Sequence, residues 1–269
     1  VIIIISLSLV NYKLNRVQKK IIKKLDNENI IKIIHTNQIE KSFKYYKPFW
    51  SIFYAEVDNF DLKNLKDIKF NRINFDEELL LNHNIIAEGI FDPFLFNFGN
   101  DDTLYLLYEI SYFDLDKNKY RSGDIFFSSK KIYEEEWLFG GPLLKRKHKT
   151  SFPFIFNKND QIFMIPETSS DNNISLYEFE KKNFPNNLKI KKILLSGLDF
   201  QDSQIFEYNG VYYLFSSTDN DTKLRIYYSD DFLKEEFIEH PMSPILKDNF
   251  SEGTKPLCLS SGEKNAFIP

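Results

Sequence analysis

The chain has 269 residues, of which 42% are hydrophobic and 16% aromatic, so it is long enough for one large domain with a buried core. Its formal net charge of −4 excludes the strong positive charge that is typical of proteins binding nucleic acid or anionic membranes. The single cysteine, Cys258, excludes an internal disulfide framework, and the four histidines lack the spacing of metal ligands, so no metal site is predicted.

Residues 1–9 are apolar and rich in β-branched side chains, which predicts a buried strand. Residues 14–25 carry Leu, Val and Ile at helical spacing with lysines on the opposite side, which predicts an amphipathic helix. A second apolar run at 30–34 completes a strand–helix–strand unit, so we predict a short N-terminal α/β segment. Because no glycine-rich turn joins the first strand to the helix, no dinucleotide cofactor is predicted, and no other cofactor motif is present.

The apolar run at residues 1–10 is about half of the roughly 20 residues that cross a bilayer, so no intact transmembrane segment is predicted. Residues 36–85 are mixed and polar with scattered aromatic side chains, and we interpret them as a connector packed on the domain that follows. The expected division is therefore residues 1–85 for the α/β segment and connector, and residues 86–269 for the main domain. The sequence leaves the location open between the cytoplasm and a membrane surface.

A pattern of four strands occurs three times between residues 90 and 248. Each unit begins with a short apolar strand at Asp92, Phe152 or Asp202, and these positions are 60 and 50 residues apart. An aromatic-rich strand then follows at 104–109, 162–167 and 211–216, and two further strands close each unit. A repeat of this length with four strands per unit is typical of β-propeller blades, whose innermost strands line a central funnel. The sequence therefore predicts a mainly β fold.

The tail after residue 248 contains two apolar fragments, 257–259 and 266–268, which we interpret as the first two strands of a fourth blade. Three blades and part of a fourth cannot close a ring, so the expected propeller is incomplete within these residues. We expect the remaining blades to come from a longer protein or from another chain.

The equivalent positions Asp92, Phe152 and Asp202 are the first candidates for a functional site. Acidic side chains at the start of the innermost strands lie close together around one funnel. Glycosidases use two neighbouring carboxylates, one as general acid and one as general base. The alternative is that both aspartates cap turns. Glu109 and Glu167 are expected to end the second strands of the first two units. Each either accepts hydrogen bonds from sugar hydroxyls or is a solvated strand end.

Aromatic and basic side chains supply the remaining candidates. Phe152 and Trp137 could offer a stacking face to a sugar ring, with core packing as the alternative for each. Arg146 and His148 belong to a basic run at 145–149, which either holds a phosphate or carboxylate of a ligand or forms a solvated loop.

The blade segments follow one another in the order of a known family. The segments that carry the likeness are Asp92-Pro93-Phe94, Leu106-Leu107-Tyr108-Glu109, Phe152-Pro153-Phe154, Met164-Ile165-Pro166-Glu167 and Tyr212-Tyr213-Leu214-Phe215-Ser216. This order resembles the N-terminal domain of plant glucosamine inositolphosphorylceramide transferases and its bacterial relatives, over roughly residues 86–248. The resemblance implies a five-bladed β-propeller similar to glycoside hydrolase family 43. Bacterial relatives often carry a formyltransferase-like α/β segment upstream, and residues 1–34 occupy its place.

The resemblance to family 43 implies a role for each of three positions. It places the general base at Asp92, the second acid of the family at Phe152, and the glutamate general acid near Asp202, whose side chain is one methylene shorter. A general acid acts over about 2.6–3.2 Å, so both departures predict a site that binds sugar without efficient hydrolysis. In the plant proteins sugar transfer is ascribed to a separate C-terminal glycosyltransferase domain, so the implied partner is such a domain or another chain.

The expected function is a carbohydrate-handling propeller in glycan or glycolipid biosynthesis, with a sugar or sugar-phosphate held through Asp92, Glu167 and Asp202. Two alternatives stay open. One is an active glycosidase with Asp92 as base and Asp202 or Glu167 as acid; the other is a protein-interaction scaffold with an inert funnel. Convergence of the three carboxylates within about 10 Å favours the sugar hypotheses, whereas scattered carboxylates favour the scaffold.

Overall fold

The computed structural model describes residues 2–9, 49–56, 69–73, 80, 82–99, 102–159, 161–186, 188–218, 223–245, 257–261 and 264–268. An N-terminal antiparallel sheet comes first, in the order β1 (Ile2–Leu9), β2 (Phe49–Glu56) and β3 (Asn71–Arg72). The strand predicted at residues 1–9 is confirmed. Its partner is β2, which lies in the segment interpreted as a connector. The helix predicted at 14–25 and the strand predicted at 30–34 lie outside the described residues.

Three four-stranded antiparallel sheets follow, each with its strands side by side in chain order. The first blade contains β4 (Ile85–Phe96), β5 (Thr103–Asp114), β6 (Lys119–Lys131) and β7 (Leu138–Leu144). The second contains β8 (Ser151–Lys158), β9 (Gln161–Glu167), β10 (Asn173–Phe179) and β11 (Lys189–Ser196). The third contains β12 (Phe200–Tyr208), β13 (Val211–Thr218), β14 (Lys223–Ser229) and β15 (Ile238–Glu239).

The first strands of the three blades lie beside one another. Strand β4 packs against β8, and β8 packs against β12, so these three strands are the innermost ones. This is the arrangement that the repeat predicts, and it brings Asp92, Phe152 and Asp202 toward one region.

The last strand of the third blade, which the sequence predicts near residues 237–246, is short. Pro241 and Pro244 lack the N–H groups that continue a ladder, so β15 ends after Glu239. Two hydrogen bonds hold the following chain against β14, from the His240 N–H to the Ile226 carbonyl oxygen (2.9 Å) and from the Ile245 N–H to the Leu224 carbonyl oxygen (3.0 Å).

Aromatic side chains fill the space between the blades. The Phe94 ring meets the Phe152 ring edge-on at 5.1 Å between centroids, which joins the first blade to the second. The Phe156 and Phe232 rings meet at 5.6 Å between the second blade and the third. These rings belong to one core cluster that spans the three blades and contains many of the phenylalanines of the chain.

A second core cluster joins the N-terminal sheet to the first blade. Ile52 of β2 is fully buried and packs with Ile85, Ile90 and Leu106. The segment interpreted as a connector therefore contributes a sheet to the core.

The C-terminal fragments form a two-stranded antiparallel hairpin, β16 (Leu257–Ser261) and β17 (Lys264–Ile268). Both strands were predicted at these positions. Strand β16 lies near β1 and β4. Within the part of the chain that is described, no helix is long and apolar enough to cross a membrane.

Candidate functional site

Each innermost strand contains a β-bulge at the same point. The pairing register shifts between Phe91 and Phe94 in β4, between Ser151 and Phe154 in β8, and between Gln201 and Gln204 in β12. The first residue of each bulge has a positive φ, which is 49° at Asp92, 45° at Phe152 and 48° at Asp202. The predicted equivalence of these three positions is confirmed at the level of the backbone.

A positive φ is unfavourable for a residue with a β-carbon, and each such residue costs on the order of 1–3 kcal/mol. Aspartate tolerates this conformation better than phenylalanine does. Bulges bend a strand and change the direction of a side chain, and they are common near active sites. The two aspartates therefore occupy a repeated feature of the innermost strands, which is more than a local turn cap.

The second strand of each blade supplies a matching set of positions. Glu109 pairs with Phe91, Glu167 with Ser151, and Ser217 with Gln201, so each lies opposite the residue that precedes a bulge. Glu109 and Glu167 are thus equivalent residues of the first two blades.

The structure corrects the expected position of one of these glutamates. Glu167 ends β9 as predicted, but Glu109 lies in the middle of β5 and is only 4% exposed. Strand β5 continues to Asp114 because the first half of β4 pairs with it as far as Ile85. Glu109 is therefore a buried acid and not a solvated strand end.

Contacts and charges connect the acidic positions. The backbone N–H of Asp202 donates to Glu167 Oε2 at 3.4 Å, which joins the third bulge to the second strand of the second blade. The charges of Asp92 and Glu167 both act on the Glu109 carboxyl. Asp92, Glu109, Glu167 and Asp202 therefore form one group, which we call the central acidic cluster.

Burial sets the protonation of Glu109. It raises the pKa of this carboxyl to about 8, opposed by the nearby Lys149 and reinforced by the negative charges of Asp92 and Glu167. The Lys149 ammonium lies 3.8 Å from Glu109 Oε1. The Ser111 hydroxyl, which donates more closely to the Ser122 carbonyl oxygen, lies 3.4 Å from the same carboxyl oxygen.

Gly123 of β6 makes room for this carboxyl. A β-carbon added at Gly123 would collide with Glu109 Oε1. The Gly123 carbonyl oxygen also accepts a 3.2 Å hydrogen bond from the Thr150 N–H, which fixes the chain next to Lys149 against β6. The sequence analysis missed Ser111 and Gly123, and from the basic run 145–149 it selected Arg146 and His148 instead of Lys149. The signal for Lys149 was its place at the end of that run, just before the second innermost strand.

The two aromatic candidates occupy different places. The Phe152 ring is 8% exposed and packs in the core against Phe94. Trp137 meets Tyr54 of the N-terminal sheet edge-on at 6.4 Å, and the Lys130 ammonium lies 5.7 Å from its ring centre.

Trp137 is also far from Glu109 along the blade. Lys130 pairs with Leu104, which is five residues from Glu109 on β5, or about 17 Å along a strand. The structure does not bring Trp137 to the central acidic cluster.

The basic run divides between the site and the adjoining blade. Arg146 forms an ion pair with Asp171 at 2.6 Å, and its carbonyl oxygen accepts from the Arg121 guanidinium. His148 is exposed in the same loop. Among the described residues, no group of three or more His, Cys, Asp or Glu side chains is arranged to hold a metal ion.

Comparison with known proteins identifies relatives of this chain. Residues 79–259 match the family model of glucosamine inositolphosphorylceramide transferase 1, N-terminal. Glucosamine inositolphosphorylceramide transferase 1 of Arabidopsis thaliana is 30% identical over 180 residues, covering 65% of this chain and 22% of that protein. The protein of the same name from Oryza sativa subsp. japonica is 29% identical over 170 residues, covering 61% of this chain and 21% of the relative. The chain thus spans about a fifth of the length of these relatives.

Solved structures share the fold at low sequence identity. A thermostable family-43 glycoside hydrolase aligns with a TM-score of 0.51 at 14% identity, over 75% of this chain and 67% of that one. The exo-β-1,3-galactanase of Phanerochaete chrysosporium, solved with β-1,3-galactotriose, aligns with a TM-score of 0.50 at 10% identity, over 71% and 43%.

The common fold is the five-bladed β-propeller of glycoside hydrolase family 43, and three of its four-stranded blades lie within the described residues. The family model covers 181 of the 269 residues, which is well over half of the chain. The chain therefore belongs to the family of the N-terminal domain of glucosamine inositolphosphorylceramide transferase 1.

Proposed function

We propose that this carbohydrate-related propeller domain binds a sugar or sugar-phosphate at the central acidic cluster, without efficient hydrolysis, and serves glycan or glycolipid assembly beside a glycosyltransferase domain or chain. The observation that carries the proposal is the repeated bulge, which places Asp92 and Asp202 at equivalent points of the two innermost strands that flank β8. Glu167, bonded to the Asp202 backbone, lies between them.

The arrangement suits a polyhydroxylated ligand. Carboxylates accept hydrogen bonds from sugar hydroxyls, and Lys149 offers a donor for a phosphate or for a sugar oxygen. The family name supports an association with glycolipid assembly, and the fold supports a carbohydrate ligand.

Two residues differ from the acids that the resemblance assigns to hydrolysis. Phe152 occupies the bulge that the resemblance assigns to a second acid, and its ring is packed in the core. Asp202 stands where that resemblance places a glutamate, with a shorter reach toward a leaving-group oxygen. Asp202 still accepts hydrogen bonds from sugar hydroxyls, as Asp92 and Glu167 do, so sugar binding does not require the acid that Phe152 replaces.

A glycan array followed by calorimetry tests the proposal. We expect measurable binding to at least one glycan, and a loss of about tenfold or more in affinity for Asp92→Ala, because a charge-assisted hydrogen bond contributes about 1.5–3 kcal/mol. Glu134→Ala is the matched control, because this exposed acid lies in the turn between β6 and β7. Absence of binding to any glycan, or equal binding by the Asp92 and Glu134 variants, would contradict the proposal.

A further inference from the structure

Glu109 is poorly equipped to carry a negative charge. It is 4% exposed, and its neighbours include the carboxylates of Asp92 and Glu167. The Ser111 hydroxyl lies 3.4 Å from it, and the Lys149 ammonium stays at 3.8 Å. A buried carboxylate needs close donors to offset its lost hydration, and here the donors are distant while two of the neighbours are anionic.

A second observation points to a ligand beside this acid. The Ser151 hydroxyl is 2% exposed and has no hydrogen-bond partner among the described residues. Ser151 and Glu167 are directly opposed across the β8–β9 pair, and directly opposed residues place their side chains on the same face. The hydroxyl of the preceding residue, Thr150, is also fully buried and has no hydrogen-bond partner among the described residues. Buried hydroxyls without partners are expected where a polar ligand completes them.

We propose that Glu109 is the neutral acid of the central acidic cluster and donates a hydrogen bond to a hydroxyl or ring oxygen of the bound sugar, while Asp92, Glu167 and Asp202 accept from its hydroxyls. This inference rests on the proposed function and adds to it a residue that determines specificity. It reverses the role expected from the sequence, in which Glu109 only accepts.

The chemistry of a sugar requires such a donor. Each sugar hydroxyl both donates and accepts, and each ring oxygen only accepts, whereas ionised carboxylates only accept. A cluster of four ionised acids would leave the sugar's acceptor oxygens to Lys149 and to the Ser151 and Thr150 hydroxyls. A protonated Glu109 supplies a further donor from within the cluster and removes one negative charge from the group.

Binding is then pH-dependent in a defined direction. The groups that face Glu109 are Lys149, Asp92 and Glu167, with Ser111 as the polar neutral neighbour, and its charge also acts on Tyr120. The donor is present while Glu109 holds its proton, so affinity is retained below about pH 8 and falls above it, by up to about tenfold per pH unit.

Calorimetry with β-1,3-galactotriose and with glucosaminyl-inositol phosphate, from about pH 6 to pH 9.5, tests the direction of this change. We expect wild-type affinity to fall by about tenfold or more between pH 7 and pH 9.5. Glu109→Gln keeps a donor that does not titrate, so it binds across the range; Glu109→Ala binds weakly throughout. Glu134→Gln is the control and follows the wild type. A flat wild-type profile, or a fall of equal size in Glu109→Gln, would overturn the inference.

A measurement without ligand separates this inference from the proposed function. Carbon-13 NMR of protein labelled at the glutamate carboxyl, with Glu109→Gln for assignment, reports whether Glu109 is protonated. We expect it to be protonated at about pH 6.5, and an ionised Glu109 there would overturn the inference. If neither probe nor any array glycan binds, the proposed function fails, while the NMR titration still decides whether Glu109 is the neutral acid.

Discussion

At the scale of single residues, Glu109 makes the stability of the protein depend on pH between about pH 4.5 and pH 8. The folded state raises its pKa from the ordinary 4.5 to about 8, so between these pH values the folded protein holds a proton that the unfolded chain releases. Stability from this group is therefore complete below about pH 4.5 and declines as the pH rises toward 8.

We predict that Glu109→Gln removes this decline. The variant should gain up to about 3–5 kcal/mol in free energy of unfolding relative to wild type near pH 8, and the gain should vanish near pH 4.5. Urea unfolding at a series of pH values measures the difference. A difference that is constant with pH would show that the folded state does not hold the proton on Glu109.

Gly123 and Glu109 should behave as a coupled pair. We predict that Gly123→Ala destabilises the protein strongly in the wild-type background, because its β-carbon meets the Glu109 carboxyl, and much less in Glu109→Ala, where that space is vacated. A double-mutant cycle in urea should give a coupling of about 1–3 kcal/mol. Additive effects would mean that the collision is relieved in another way.

The sequence predicted the bulge residues because each of the three units begins in the same way, with Asp92, Phe152 and Asp202 in matching places. It did not predict the burial of Glu109. Nothing in the local pattern shows that β5 continues to Asp114, since its partner, the first half of β4, precedes the repeat. Gly123, and the contact of Lys149 with Glu109, were missed for the same reason, because both depend on the position of a neighbouring strand.

At the scale of elements, the second and third blades are joined by a cation held between rings. The Lys158 ammonium lies 4.2 Å from the Tyr212 ring centre and 4.6 Å from that of Phe232, and 3.3 Å from Asp231 Oδ1. Lys234 pairs with the same aspartate at 2.9 Å, but its side chain is 82% exposed.

We predict that Lys158→Ala lowers the free energy of unfolding by about 1–2 kcal/mol, since the ammonium is held by two rings and a carboxylate. Lys234→Ala should change it by less than about 0.5 kcal/mol, because exposed ion pairs contribute little. Denaturant midpoints of both variants test the difference. Equal losses would assign the effect to Asp231 alone.

The blades were predictable as elements because aromatic strands recur with turns between them. Strand β2 was not, because it occurs once, its aromatic side chains follow no repeat, and its partners β1 and β3 are distant in the sequence. The fourth strand of the third unit was expected near residues 237–246, but Pro241 and Pro244 in this segment remove the donors that a strand needs, so β15 ends after Glu239.

At the scale of the whole molecule, the chain shares its propeller fold with family-43 glycoside hydrolases. The resemblance to that family places a second acid and a glutamate where this chain has Phe152 and Asp202. We predict that aryl glycosides are cleaved far more slowly than the roughly 1–10³ s⁻¹ of ordinary enzymes. Phe152→Asp combined with Asp202→Glu should raise the rate if it folds; circular dichroism provides the control, because a carboxylate at a buried position is costly. Ordinary rates in the wild type, abolished by Asp92→Ala, would favour the active glycosidase instead.

At the three bulges, the backbone conformation does not depend on which residue occupies the position. Phe152 adopts nearly the same φ as Asp92 and Asp202, although an aromatic side chain has little intrinsic preference for that conformation. The sheet therefore imposes the bend, and the side chain only occupies it. Such positions can exchange acidic, amide and apolar residues while the strands stay in place, so relatives with this backbone can differ widely in chemistry at the same three points.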